Sequence, residues 1–64
     1  MTYSIFDAGN LVASFDREDE SYKALERLAA ANTDTRDALL LVAFDDAGHV
    51  IADCAPGERM VNAA

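Results

Sequence analysis

His49 is the only side chain in this 64-residue chain that ordinarily titrates near neutrality, and Asp45, Asp46 and Asp53 are its close neighbours in sequence. An imidazole among carboxylates is the chemistry of a divalent-metal site or of proton transfer. The spacing argues against both. Closed zinc sites draw four ligands from recognisable intervals that are missing here, and Asp is what tight turns prefer. His49 also occupies the place of Asn10 in an earlier, similar segment where no chemistry is implied. A small-ligand or metal-binding domain is therefore the third-ranked reading, and no metal ligand is assigned.

Cys54 is the single thiol, and no neighbouring base or cation in the sequence would activate it. It reads as a small apolar side chain on a buried strand face, with an intermolecular disulfide at a dimer edge as the alternative. Ser4, Ser14 and Ser21 would need a histidine base with an orienting acid, and the one histidine lies in a turn. Glycine-rich phosphate loops are absent as well. The expectation is a protein that is not an enzyme, with no catalytic residue and no cofactor.

The charge balance is 12 acidic against 5 basic residues, a formal net charge of −7. Nucleic-acid binding needs a basic patch that displaces counterions, so direct DNA or RNA binding is ranked down. The densest charge is Asp16, Glu18, Asp19 and Glu20, around Arg17. As a partner patch it suits a protein with a basic surface, which makes an acidic inhibitor, antitoxin-like or nucleic-acid-mimicking, the second reading. The competing explanation is that acids gather at a helix N-terminus to complement its dipole.

The elements that must position these residues follow from a repeat. Asp7-Ala8-Gly9-Asn10-Leu11-Val12-Ala13 returns as Asp46-Ala47-Gly48-His49-Val50-Ile51-Ala52. Each copy sets an Asp-Ala-Gly turn between two apolar runs, which predicts two β-hairpins of one design, each a type I turn closed by a glycine G1 bulge. Strands are expected over about 3–6, 11–15, 39–45 and 49–54. Between the hairpins, Asp16 as N-cap and Asp19 as capping-box acid open a helix over about 17–31, whose stripe is Tyr22, Leu25, Leu28 and Ala29. Asn32 should stop it in a left-handed cap, and Thr33 to Ala38 can hold one short helical turn. Residues 1–54 then form one domain, with 55–64 as a flexible tail.

The fold class expected is α+β, ββαββ: two similar hairpins in an antiparallel or mixed four-stranded sheet with one helix packed on one face. Whether the second strand meets the third in parallel or the hairpins pair by other edges is left open. No segment approaches the ~20 apolar residues of a membrane span and no signal-peptide pattern opens the chain, so a cytoplasmic protein is expected.

Alternation assigns Tyr3, Ile5, Leu11, Ala13, Phe15, Leu40, Val42, Phe44, Val50, Ala52 and Cys54 to the helix side. The other face then carries Phe6, Val12, Leu39, Leu41 and Ile51 among polar residues, more apolar than a wet sheet face should be. A chain this short has only a small core, and with no disulfide or metal to compensate, association is the remaining route to stability. These five residues are the expected interface of a homodimer, with pairing of edge strands as the other mode of association. Single exposed apolar residues are ordinary, and that is the competing account.

Val12-Ala13-Ser14-Phe15-Asp16 leading into an acid-opened helix, with Leu40-Leu41-Val42-Ala43-Phe44-Asp45-Asp46-Ala47-Gly48 after it, resembles small bacterial hairpin-helix-hairpin domains of uncharacterised function. The likeness spans about residues 3–54 and implies an architecture without functional residues. The leading expectation is a small, acidic, homodimeric protein–protein interaction module.

Overall fold

Two hairpins flank one helix in the computed structural model, which describes residues 1–60. The order is β1 (Thr2–Asp7), β2 (Asn10–Phe15), α1 (Glu18–Ala31), a 3₁₀ helix (Thr33–Ala38), β3 (Leu39–Phe44) and β4 (Val50–Cys54). The four strands form one sheet in the order β2-β1-β3-β4, and every neighbouring pair is antiparallel. The hairpins therefore join through β1 and β3, which leaves β2 and β4 as the edges.

The helix covers only one side of the sheet; on the other, Ser4 and Val42 are buried by their neighbours within the sheet. Ile5 and Leu41 lie opposite each other at the centre of the β1–β3 pair, and both are 0% exposed. Tyr3, Leu39, Ala43 and Cys54 extend this core, and α1 closes it with Tyr22, Leu25 and Ala29. Each large side chain so buried contributes on the order of 1.5–3 kcal/mol before chain entropy is charged. Ser21 is also buried on α1, and its hydroxyl donates to the Glu18 carbonyl at 2.6 Å.

The β3 face assignment is reversed relative to expectation. Leu39, Leu41 and Ala43 face the helix, while Leu40, Val42 and Phe44 take the other side, because β3 pairs Leu41 with Ile5 and Ala43 with Tyr3. Leu39 and Leu41 are thus core residues and not interface residues. Leu11 and Val50 also leave the helix side: a register shift in each hairpin sets Leu11 opposite Phe6 and Val50 opposite Phe44. The extra residue of each bulge breaks the two-residue alternation locally.

The caps differ too. Arg17, in extended conformation, is the residue before α1, and no side chain caps the helix, so Asp16 is not its N-cap. Asp19 instead meets the Arg17 Nε at 3.4 Å. Asn32 ends the helix at φ −146° in extended backbone, and the 3₁₀ turn that follows supplies the change of direction that a left-handed cap was expected to give.

Residues 55–60 are held against the domain, whereas a flexible tail was expected. The Glu58 N–H donates to the Ala55 carbonyl, and the Glu58 carboxylate accepts from the Ala55 N–H at 2.9 Å, closing a turn around Pro56-Gly57. Arg36 Nη2 donates to the Pro56 carbonyl at 3.2 Å, and the Met60 N–H donates to the Tyr22 hydroxyl at 2.9 Å. The Arg59 guanidinium lies 4.3 Å from the centre of the Tyr22 ring. The remainder of that expectation, residues 61–64, lies outside the described residues.

Candidate interaction surface

The chemistry first considered at His49 is turn architecture. One Asp45 carboxylate oxygen accepts from the backbone N–H of Ala47 at 3.0 Å and of His49 at 2.8 Å. The other stands 3.4 Å from His49 Nδ1, an ion pair whenever the imidazole is protonated. These bonds, led by that from the His49 N–H, hold the Asp45 carboxyl below its ordinary range. Asp46 turns away to accept from the amino terminus of Met1 at 3.0 Å, and Asp53 pairs across the sheet with Val42. Among the described residues no three His, Cys, Asp or Glu side chains gather as a metal site would require.

Cys54 sits in the core opposite Leu41. Burial pushes its thiol pKa up, and the Glu58 and Asp53 carboxylates push in the same direction. A thiol so placed is a poor nucleophile.

Asp16, Glu18, Asp19 and Glu20 are all exposed, the last three in the first turn of α1. Beside them an open cleft of about 520 Å³ runs between α1 and the C-terminal segment, with Lys23 and Arg59 set among Asp19, Glu26 and Glu58. Its charges alternate in sign, so it presents no single field to a ligand.

The uncovered sheet face has a clearer pattern. Across its middle run Ser14, Ser4, Val42 and Asp53, and the two serine hydroxyls share a hydrogen bond of 3.1 Å. At one corner the bulge of β2 gathers Leu11 and Val12 against Phe6. At the diagonally opposite corner the bulge of β4 gathers Val50 and Ile51 against Phe44. Leu11 and Val50 are 60% and 61% exposed, and Val12 and Ile51 are exposed as well. Leu40, paired with Phe6, is a further exposed apolar residue on this side.

Of the five residues expected at an interface, Phe6, Val12 and Ile51 are on this face, and Leu39 and Leu41 are not. Leu40, Phe44, Leu11 and Val50 were missed. A signal for Phe44 was present: Phe6-Asp7 before the first turn matches Phe44-Asp45 before the second if the second loop has one extra residue. That alignment puts Ile5 with Ala43 and Tyr3 with Leu41, which is the arrangement in the core.

No helix among the described residues is long and apolar enough to cross a membrane. No family model, curated protein or solved structure matches the chain.

Proposed function

We propose that this chain is a non-enzymatic interaction module that pairs with a second copy of itself through the uncovered sheet face. The observation that carries the reading is the pair of apolar corners, Phe6-Leu11-Val12 and Phe44-Val50-Ile51, on a face where Asp53 is the one charge in the middle row. A solvated antiparallel face is normally polar, and a contiguous apolar patch on so small a protein is a contact surface or a liability.

Size favours an equal partner over a peptide. Four strands about 4.8 Å apart and six residues of about 3.4 Å make a face of roughly 20 by 20 Å. Two such faces together come near the ~1,000 Å² expected of a specific interface, so a partner must engage both apolar corners at once. The partner must therefore be similarly wide, which a second copy is. A lone buried thiol suits a reducing compartment, and the cytoplasm is the compartment we assign.

Sedimentation velocity over micromolar concentrations tests this directly. The expected species has twice the 6.9 kDa chain mass, and its population rises with salt because each copy carries −7. A 6.9 kDa species throughout, at low and high salt alike, overturns the reading.

A second reading rests on Asp16, Glu18, Asp19 and Glu20, which stand exposed on one helix end. Here the module is an acidic antagonist of a basic protein. Salt separates the two, since capture of a basic partner weakens with ionic strength whereas self-association strengthens.

A further inference from the structure

We infer that the two sheets of the homodimer cross near a right angle, on a twofold axis running through both apolar corners, so that each corner meets its own copy. The inference rests on the self-association proposed above and specifies its geometry. β2 and β3 both run antiparallel to β1 and are joined through α1. Such a crossover is right-handed as a general rule. Seen from the uncovered side with β1 pointing up, β2 is then on the left and β4 on the right. Phe6, Leu11 and Val12 form the upper left corner, and Phe44, Val50 and Ile51 the lower right.

Sheet twist has a fixed hand, with neighbouring strands rotated by about −20 to −25°. In this orientation the rotation lifts the upper left and lower right corners toward the viewer and lowers the other two. The apolar corners are therefore the raised ones. Two saddle-shaped faces that touch at raised corners meet with strands crossed, which is the orthogonal class of sheet packing. A twofold axis parallel to the strands would instead set each apolar corner over a lowered corner of the partner.

An isologous interface requires the patch to match itself under rotation. This one does so because both apolar corners lie on the proposed axis, which maps each onto itself. The chosen axis also brings Asp53 toward the partner's paired Thr2 and the partner's Phe44 at the rim, of which Thr2 is polar and exposed. The perpendicular axis would seat that carboxylate against the partner's Phe6 and Leu40, where an unpaired charge is costly.

The test uses single-cysteine chains in a Cys54→Ala background, with Val12→Cys, Ile51→Cys or Ser14→Cys, treated with a short bis-maleimide suited to sheets about 10 Å apart. Each variant is also run in the ultracentrifuge. The expected result is a covalent dimer from Val12→Cys and from Ile51→Cys, at least tenfold faster than from Ser14→Cys, in samples that sediment as dimers. Dimers that link through Ser14→Cys and not through Val12→Cys overturn the crossed geometry and leave self-association standing. Samples that sediment as monomers and do not link overturn both. If Val12→Cys fails to fold, Leu11→Cys, at a more exposed position of the same corner, takes its place.

Discussion

The two hairpins carry nearly the same residues and turn in different ways. In the first, Asp7 pairs with Asn10 across a two-residue turn in which Ala8 and Gly9 both have positive φ, 51° and 85°. This is the type I′ pattern, whose twist suits the strands it joins. Ala8 holds a left-handed conformation that costs a residue with a Cβ about 1–2 kcal/mol. Its N–H donates to the Ala38 carbonyl at 3.0 Å, so the bend is fastened to the end of the 3₁₀ helix, one residue before β3. In the second hairpin one more residue is present. The Asp45 N–H donates to the His49 carbonyl, the Gly48 N–H donates to the Asp45 carbonyl, and Gly48 alone takes positive φ, 86°. This loop is the type I turn with a glycine bulge that the sequence predicts for both. The difference shows that a face pattern can be kept while the loop changes length, provided the strands on either side are re-registered together.

The sharpest way to break this comparison is on β3, where one residue of register decides which leucines are core. Leu41→Ala empties a position with no exposure and should cost about 2–5 kcal/mol. Leu40→Ala, one residue earlier on the open face, should cost the monomer about 1 kcal/mol or less. Urea unfolding at submicromolar concentration measures both, and a larger loss for Leu40→Ala would put β3 in the opposite register.

A smaller effect of two signs is expected in the loops. Gly48→Ala forces a Cβ into the positive φ of the second turn and should destabilise by about 1–2 kcal/mol. Ala8→Gly relieves the same strain in the first turn, partly offset by the freer unfolded chain, and should stabilise by up to about 1 kcal/mol. Thermal unfolding of the two variants decides it. If both shift the midpoint the same way, the turns are not of different types.

These loops also explain what could be read from the residues alone. The ββαββ order was legible because Asp-Ala-Gly twice separates apolar runs and because Tyr22, Leu25 and Ala29 recur at helical spacing. The faces of β1 were legible from Tyr3 and Ile5. Those of β3 were not, because Leu39-Leu40-Leu41-Val42-Ala43-Phe44 is apolar throughout and has no alternation to read. Its parity had to be carried across from the repeat, and matching Asp7 to Asp46 hid the inserted residue. The hold on residues 55–60 was equally hidden, since it depends on Arg36 and Tyr22, distant in sequence, and on main-chain groups. Three of the seven residues of the candidate surface were consequently found, Phe6, Val12 and Ile51, while the core leucines Leu39 and Leu41 were named and Leu11, Leu40, Phe44 and Val50 were not.

The smallest effect expected concerns the acid that each turn begins with. Asp45 accepts two N–H bonds within its own loop. Among the described residues Asp7 forms no such side-chain bond, because a two-residue turn leaves no room for one. At neutral pH Asp45→Ala should therefore lower stability more than Asp7→Ala. The pH dependence is more specific. Because these bonds hold the folded carboxyl below its ordinary value of 3.8, its contribution is present in full above that pH and is lost as pH falls through the lower folded value. Asp45→Asn keeps an acceptor oxygen that does not titrate. The stability difference between the natural chain and Asp45→Asn should stay constant at neutral pH and shrink in acid below 3.8. A difference that instead grows on acidification would mean that the carboxylate is strained in its turn, and the second hairpin would lose the side-chain support that distinguishes it from the first.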